Sequence, residues 1–287
     1  MKTDLHIHSI YSDGSLSPEE IVDTAIELGI SAISITDHDN VLSYPLATAY
    51  SEKRLKEDGV GLSDIIPGVE INTIWKDIEV HILGYYMDLD SKSFLDLLKH
   101  QQKARYEQTI KIVERLNKEP GIRIRMEDIT SLVMKDGSIG RPHIARALTN
   151  TGSTKNVIEA YIKYLNDEAP TYIKRKTVTP HEAIEIIYEA GGIPVVAHPG
   201  DKEIIESLIK EFINYGLRGI EVYHKKHSPA MVEYYSTLAE KYGLIVTGGS
   251  DFHGPKENKK NFGKNFVPAW VLDALKKEKA HIDIARS

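Results

Sequence analysis

Three residues near the start of the chain have the types and the spacing of a metal site. His6 and His8 are separated by one residue at the end of a short apolar stretch, and Asp13 follows five positions later. Successive side chains of a β-strand point to opposite faces, so both imidazoles would lie on the same face. Two imidazoles that converge beside a carboxylate are typical ligands of a divalent metal ion. The opening of the chain therefore predicts a metal site at the end of a strand.

The same chemistry recurs in later segments, almost all of them at the carboxyl ends of predicted strands. Glu70 and His81 stand inside apolar strands, where a buried charge is costly unless a cation accompanies it. The nine candidate ligands are His6, His8, Asp13, His38, Glu70, His81, His198, Asp251 and His253. Because a site for one ion needs only three or four ligands, nine favour two or three divalent ions that share bridging carboxylates.

Each candidate also has an ordinary structural explanation. Asp13 and Asp39 precede turn-forming residues and could be turn or helix-cap residues. Glu70 and His81 could form a buried hydrogen-bonded pair, and Asp37 could orient a ligand histidine without binding metal itself. The coincidence of all these residues at one sheet edge favours the metal site.

The elements that must position these residues alternate between short apolar strands and helices, which is typical of a parallel α/β fold. We predict strands at residues 2–8, 32–36, 65–71, 80–86, 193–197, 219–222 and 244–247. Capping boxes at Ser17 and Thr179, each followed by proline, predict helix starts, and Ser228 with Pro229 predicts another. The carboxyl ends of parallel strands share the edge where α/β barrels assemble active sites. The residues after Glu278 carry little pattern and are expected to fray.

The middle of the chain breaks this rhythm. Residues 91–176 show helical periodicity without a convincing strand, with a long helix that ends before Pro120 and shorter helices at 142–149 and 154–165. We therefore predict a barrel formed by residues 1–90 and 177–287. The helical insertion at 91–176 is expected to form one wall of the substrate pocket.

Composition limits the classes of function. The 287 residues carry a net charge of −6, which gives no general affinity for duplex DNA or anionic lipid. The absence of cysteine excludes thiolate ligands and disulfides. We find no apolar leader and no apolar run long enough to span a membrane. We expect a cytoplasmic protein with no membrane partner and no obligatory protein partner.

Taken together, the motifs resemble those of the PHP family, the polymerase and histidinol phosphatase superfamily of metal-dependent phosphoesterases. The matching motifs are D-L-H-I-H-S with S-D-G, T-D-H-D, P-G-V-E, His81, A-H-P-G and G-S-D-F-H-G, across residues 1–90 and 190–254. The resemblance implies a distorted (β/α)7 barrel with three metal ions. It assigns one ion to His6, His8, Glu70 and Asp251, a second to Glu70, His81 and His198, and a third to Asp13, His38 and His253. Some members have histidine in place of Asp13. Manganese is the expected metal, with iron and zinc as alternatives.

Within this family the chain is similar to the branch of RNase AM and the nucleoside 3′,5′-bisphosphate phosphatases. The similarity lies in G-R-P-H-I-A-R at 140–146, E-A-G-G at 189–192 and I-E-V-Y-H-x-x-H at 220–227. It implies hydrolysis of nucleotide phosphoesters by metal-activated water. The implied substrates are nucleoside 3′,5′-bisphosphates such as pAp, which lose the 3′-phosphate, and short RNA degraded from its 5′ end.

The remaining candidates are substrate contacts. The guanidinium of Arg141 matches phosphate oxygens bidentately, and His143 and Arg146 follow it in the same helix. Lys174 begins a basic run, Lys174 to Lys176, that could draw in anions. His224 is a candidate for protonating the leaving oxygen or contacting substrate, with His227 as the other possibility. Asp13, Glu70 and Asp251 are the catalytic carboxylates, acting through the metals.

Three other functions are compatible with parts of this pattern. A histidinol-phosphate phosphatase would use the same chemistry, but the insertion with G-R-P-H argues against it. An amidohydrolase barrel also begins with His-x-His, yet it does not explain Asp13 or the T-D-H-D cluster. A non-catalytic PHP module of a polymerase would have a degraded ligand set, whereas this set is complete.

Overall fold

The strands of the described residues fall into two sheets. The computed structural model describes residues 2–200, 204–254, 262 and 267–286. The first sheet is parallel and contains β1 (Lys2–Ile7), β2 (Ile30–Ile35) and β3 (Asp64–Ile65). The second contains, in spatial order, β4 (Gly68–Trp75), β5 (Ile78–Tyr85), β6 (Ile193–Val196), β7 (Gly219–Tyr223) and β8 (Ile245–Gly248).

The observed strands differ from the prediction between residues 64 and 85. The strand predicted at 65–71 is two strands, β3 and β4, and β4 continues to Trp75. Lys76 and Asp77 then adopt φ angles of 44° and 67°, as in the two-residue turns that close hairpins. Because this turn reverses the chain without a crossover, β5 runs antiparallel to both β4 and β6. The expectation of a wholly parallel arrangement is therefore wrong for β5.

Backbone hydrogen bonds connect the two sheets near the ends of their strands. The amide of Asp39 donates to the carbonyl of Glu70 over 3.0 Å on one side. On the other, the amide of Asp251 donates to the carbonyl of His6 over 2.8 Å. These bonds bring the loop after β2 to β4 and the loop after β8 to β1. The chain thus has an α/β fold, while the described strands do not form one continuous closed sheet.

Local capping signals start three helices where we predicted them, at Ser17, Thr179 and Ser228. The helices are α1 (Pro18–Glu27), α2 (Ser43–Asp58), α3 (Lys92–Leu116), α4 (Met126–Thr130), α5 (Arg141–Asn150), α6 (Val157–Ala160), α7 (Pro180–Glu189), α8 (Ile205–Phe212), α9 (Pro229–Tyr242) and α10 (Ala269–Arg286). Ser17 and Thr179 accept hydrogen bonds from the amides of Glu20 and Glu182, so both predicted capping boxes are confirmed. The expected fraying after Glu278 is wrong, because α10 continues to Arg286 and buries Ile282. No helix of the described residues is long and apolar enough to span a membrane.

The helices of residues 92–165 have an apolar cluster of their own. Ile112, Val113 and Leu116 at the end of α3 pack with residues of α4, α5 and α6, and a π-helical turn at Tyr161–Leu165 completes this cluster. The first turns of α3 instead bury Phe94 in the main core, beside the second sheet. Between these two apolar ends, α3 buries polar residues, Gln101, Arg105 and Thr109. That polar stretch faces the candidate site.

Candidate metal centre and substrate cavity

Glu70, in the first half of β4, lies at the centre of the predicted ligands. It is fully buried, and its two carboxylate oxygens lie within 3.4 Å of five imidazole rings. The distances are 2.7 Å to Nδ1 of His81, 2.9 Å to Nε2 of His198, 3.0 Å to Nδ1 of His38, 3.3 Å to Nε2 of His8 and 3.4 Å to Nε2 of His6. The structure therefore brings together residues from β1, β4, β5 and the loops after β2 and β6.

The two aspartates complete the ring on either side. Asp13 Oδ1 lies 3.3 Å from Nε2 of His253, and Asp13 Oδ2 lies 3.8 Å from Nε2 of His38. Asp251 Oδ1 lies 3.3 Å from Nε2 of His8. All nine predicted ligands thus lie around one centre, with most of them buried.

Four overlapping groups within this set could each hold an ion. They are His8, Asp13, His38 and His253; His6, His8 and Asp251; His6, Glu70 and His198; and His38, Glu70 and His81. The groups divide the residues differently from the three predicted sets, since His8 joins Asp13 and His38 joins His81. The members are those predicted, whereas their division among ions stays a prediction.

Buried atoms without a well-formed hydrogen bond test whether this centre suits a cation. Asp13 Oδ1, His38 Nδ1 and Glu70 Oε2 are buried and make no hydrogen bond of good geometry, although His253 Nε2 lies 3.3 Å from the first and the other two lie 3.0 Å apart. Such atoms cost free energy unless something satisfies them. Furthermore, Nε2 of His6 and Nε2 of His8 face each other at 3.2 Å. If both nitrogens are unprotonated, their lone pairs face each other with no hydrogen bond between them. A divalent ion would satisfy these atoms, so the donor set fits the predicted metals.

The charges of the centre stabilise one another. Burial opposes ionisation of Glu70, but His38 and His81 outweigh it and hold the pKa of its carboxyl well below the usual range. Burial likewise lowers the pKa of His81, yet Glu70 and Glu79 raise it to about 9. The pKa values of Asp13 and Asp251 are also held well below the usual range, against burial, mainly by His253. The centre thus has ionised acids ready to accept cations.

Two glycines allow the backbone to come close enough. A Cβ at Gly249 would lie 2.4 Å from the amide nitrogen of His6, and one at Gly14 would lie 2.2 Å from the carbonyl oxygen of His8. Both contacts are far too short for any side chain, which explains why glycine accompanies the acids in S-D-G and G-G-S-D. Asp251 itself adopts a φ of 49°, a left-handed conformation that aspartate tolerates.

Glu221, on β7, is a functional candidate that the sequence analysis missed. It is fully buried, its Oε1 lies 2.9 Å from Nδ1 of His6, and its Oε2 accepts the amide of His198 over 2.7 Å. Burial raises the pKa of this carboxyl, but His6 and other imidazoles lower it to about 2. A carboxylate on the second ring nitrogen fixes the tautomer of a metal-binding histidine. The signal was present, since Glu221 stands between Ile220 and Val222 just as Glu70 stands in an apolar strand.

Asp37 supports the loop after β1. It accepts hydrogen bonds from the Ser9 amide over 2.7 Å and from the hydroxyls of Ser9 and Ser12, each over 2.6 Å. The Ser12 hydroxyl in turn lies 3.4 Å from Nδ1 of His8. The alternative in which Asp37 orients a histidine indirectly therefore has a physical route, through Ser12.

Asp39 connects the centre to α3. It is fully buried, and its Oδ2 lies 2.6 Å from Nε of Arg105 and 3.7 Å from Nη1 of Arg175. Arg105 also donates to Oδ1 of Asn72, whose Nδ2 lies 2.7 Å from Nε2 of His81. No local pattern predicted this network, because its members are brought together only by the tertiary fold.

A cavity of about 490 Å³ opens beside the centre, a size typical of small-molecule sites. Asp13, His38 and His81 line its inner end. Residues of the β4–β5 hairpin, α3, α5 and the segment that follows α5 line the remainder, including the aromatic rings of Tyr161 and Tyr172. The lining cations are Arg105, Arg141, Lys174 and Arg175. The lining thus combines ligand atoms, cations and aromatic rings.

The predicted substrate contacts divide between the cavity and its surroundings. Arg141 and Lys174 line the cavity, whereas His143 and Arg146 are not among its described lining residues. His143 is buried and its Nδ1 accepts the amide of Gly140 over 3.0 Å, so it caps the start of α5. Burial lowers the pKa of this imidazole to about 4.

His224 lies behind Asp251. Its Nε2 lies 3.3 Å from Asp251 Oδ2, and its Nδ1 accepts the amide of Lys226 over 3.3 Å. Burial lowers the pKa of this imidazole. In the neutral imidazole, Nε2–H therefore donates to Asp251 and Nδ1 accepts from the backbone of Lys226. Lys225, which the sequence analysis did not single out, places Nζ 3.1 Å from the same carboxylate oxygen.

Comparisons with known proteins agree with this geometry. The family model for the PHP domain matches residues 4–176. The chain is 33% identical over 258 residues to the 5′-3′ exoribonuclease Rnm of Salmonella typhimurium, covering 88% of this chain and 85% of that protein. It is 31% identical over 264 residues to the 3′,5′-nucleoside bisphosphate phosphatase of Chromobacterium violaceum, covering 91% and 90%. A crystal structure of a putative metal-dependent phosphoesterase from Bifidobacterium adolescentis superposes with a TM-score of 0.85 at 30% identity, covering 95% and 94%.

Proposed function

The chain belongs to the PHP domain family, and on that premise we propose that it hydrolyses nucleotide phosphoesters at the centre built around Glu70. Family membership confirms the resemblance found in the sequence and the predicted class of enzyme, a hydrolase of phosphoric ester bonds. The proposed substrates are nucleoside 3′,5′-bisphosphates such as pAp and short RNA. The named activities of the two relatives above support this choice.

The observation that carries the proposal is the buried carboxylate of Glu70 among five imidazoles. An uncompensated carboxylate in this position would be costly, whereas a carboxylate that bridges cations is stabilised. We propose that the nine ligands hold two or three divalent ions, manganese first, with iron and zinc as alternatives. When bound, such ions supply a nucleophilic water near neutral pH and positive charge opposite the phosphoryl oxygens.

The protein residues have separate tasks in this proposal. Arg141 binds a phosphate oxygen pair at the cavity wall. His224 positions Asp251, because its Nε2–H points at that carboxylate and its other nitrogen is engaged by a backbone amide. Glu221 holds His6 in the orientation in which Nε2 faces the centre.

We also propose the domain arrangement expected from the sequence. Residues 1–90 and 177–287 would form a distorted (β/α)7 barrel that carries the metals. Residues 91–176 would form the wall that encloses the nucleotide, which is supported by the α3 and α5 residues in the cavity lining. The cytoplasmic location stays a prediction.

A substrate comparison tests the proposed function. Phosphate or nucleotide release is measured from pAp, a 5′-phosphorylated oligoribonucleotide and histidinol phosphate, with Mn²⁺ and after chelation. We expect chelator-sensitive turnover of pAp or the oligoribonucleotide and none of histidinol phosphate. Turnover of histidinol phosphate alone would contradict the nucleotide assignment, and silence on all three with metals bound would favour the non-catalytic module.

A further inference from the structure

We infer that Glu79 is a positioning residue that couples the predicted metal ligand His81 to the predicted phosphate clamp Arg141. Glu79 and His81 stand two residues apart on β5, so both side chains lie on the face of the hairpin that lines the cavity. Glu79 Oε1 lies 3.3 Å from Nε2 of His81, and Glu79 Oε2 lies 3.3 Å from Nη2 of Arg141. One carboxylate thus contacts both halves of the proposed site. The inference rests on the proposed function.

The tautomer of His81 explains why a carboxylate is needed. Nδ1 of His81 faces Glu70 at 2.7 Å, so a metal bound there would require the ring proton on Nε2. Asn72 lies directly across the hairpin from His81, but its Oδ1 already accepts from Arg105 and its Nδ2 faces Nε2. Over 2.7 Å this NH₂ can only donate to Nε2, which in the metal-free protein places the proton of the neutral ring on Nδ1, facing Glu70. A metal at Nδ1 would move that proton to Nε2, where the NH₂ cannot accept it. Among the described contacts of this nitrogen, Glu79 is the one that supplies an acceptor.

The second oxygen of Glu79 restrains the clamp. Arg141 has two carboxylate partners, Glu79 and Asp167, and its guanidinium lies 5.1 Å from the ring centre of Tyr172. A substrate phosphate must compete with both carboxylates for the guanidinium. When phosphate takes Arg141, Glu79 loses that partner and keeps its contact with His81. Glu79 therefore weakens substrate binding and strengthens the metal site, two effects of opposite sign from one side chain.

Asp167 provides a matched control. It lies 2.7 Å from Nη1 of Arg141 and is largely exposed, whereas Glu79 contacts the other terminal nitrogen, Nη2. Glu79→Gln removes a charge from both Arg141 and His81, whereas Asp167→Asn removes a charge from Arg141 alone. Both substitutions preserve size. Glu79 is partly exposed in the cavity lining, so neither change disturbs the apolar core.

The test combines equilibrium dialysis with kinetics. Mn²⁺ bound per chain is measured against free Mn²⁺, and KM and kcat are measured with pAp, for the wild type, Glu79→Gln, Glu79→Asp and Asp167→Asn. For Glu79→Gln we expect one Mn²⁺ to bind about 10- to 100-fold more weakly, which is typical when the carboxylate behind a ligand histidine is lost.

At saturating Mn²⁺ the KM of Glu79→Gln for pAp should fall about two- to fivefold, as for loss of an exposed ion pair. Asp167→Asn should lower KM in the same way with unchanged Mn²⁺ affinity, and Glu79→Asp should fall between wild type and Glu79→Gln in Mn²⁺ affinity.

Two results would overturn the inference. Mn²⁺ affinity of Glu79→Gln within twofold of wild type would remove the link to His81, and an unchanged or higher KM would remove the link to Arg141. The dialysis does not depend on turnover. If pAp were not hydrolysed by the wild type, a weakened Mn²⁺ site in Glu79→Gln alone would still support the His81 link, while the proposed function would fail separately.

Discussion

At the scale of single residues, the candidate ligands were predictable because their chemistry is restrictive. Few residue types bind divalent metals, and a charged residue such as Glu70 inside an apolar strand is conspicuous in the sequence. The same reasoning applied to Glu221 would have found it as well. Glu79 and Arg105 were not predictable in this way, because an acid in a strand or an arginine in a helix is common and is usually exposed, whereas Arg105 is buried. Their partners come from distant segments.

The first prediction concerns Arg141. Arg141→Ala should raise KM for pAp about 10- to 100-fold, since a hydrogen bond to a charged group contributes about 1.5–3 kcal/mol. The kcat should change much less, because the ligands of the centre are untouched. Arg146→Ala is the matched control, as Arg146 lies on the same helix and is not among the described residues that line the cavity. Equal effects of the two substitutions would contradict the phosphate-clamp role.

The second prediction concerns pH and the imidazoles. In the metal-free protein the pKa of His81 is raised from 6.5 to about 9, and that of His8 is raised as well. Because a metal binds only the unprotonated nitrogen, binding releases these protons. The Mn²⁺ affinity should therefore rise between pH 6.5 and 9, by up to about tenfold per pH unit for each proton released.

The metal-free protein should show the opposite trend in stability. A histidine with a raised pKa in the folded state stabilises that state below pH 6.5, and this contribution is lost as pH rises to about 9. The difference in Tm between metal-loaded and chelated protein should consequently grow with pH. Thermal melts at pH 6.5, 7.5 and 9 measure it, and a difference that shrinks with rising pH would contradict the ligand role of these histidines.

At the scale of elements, helix starts could be predicted from local signals, whereas the pairing of strands could not. The capping boxes of α1 and α7 were predicted correctly because they depend on residues within one turn. The hairpin between β4 and β5 was missed because Lys76 and Asp77 lack the Asn-Gly pattern that usually marks a two-residue turn. The long helix α3 was predicted from its apolar residues, but its buried polar stretch could not be interpreted without knowing that Asp39 and Asn72 face it.

The third prediction belongs to α3. Arg105→Met removes one partner of the fully buried Asp39 and leaves Arg175, 3.7 Å away, as the remaining charge. Losing one partner of a buried pair typically costs about 3–5 kcal/mol, so the free energy of unfolding of the metal-free protein should fall by about that amount. Urea denaturation measures it.

A control on the same helix separates charge from helix propensity. Lys103→Met lies on the exposed face of α3, where the ion pair with Glu107 is long and exposed. Its free energy of unfolding should change by less than about 0.5 kcal/mol. A change for Arg105→Met as small as that for Lys103→Met would show that the Asp39 network does not hold α3 in place.

At the scale of the whole molecule, the fold brings both ends of the chain to one centre. β1 and the residue after it supply His6 and His8, and the loop after β8 supplies Asp251 and His253, some 240 residues later. The sequence predicted this convergence from strand ends, because parallel strands share an edge. It did not predict that the strands divide into two sheets with β5 reversed, since that division depends on which strands pair.

The most direct measurement of the central claim is the number of metal ions held around Glu70. The protein is purified with added Mn²⁺, dialysed, and its metal content per chain is determined by mass spectrometry for the wild type and for Glu70→Gln, with circular dichroism to confirm folding of both. We predict two or three ions per wild-type chain, with loss of at least one ion and of pAp hydrolysis in Glu70→Gln. A wild-type enzyme that hydrolyses pAp with no bound metal, or a Glu70→Gln variant with undiminished metal content and activity, would contradict the account.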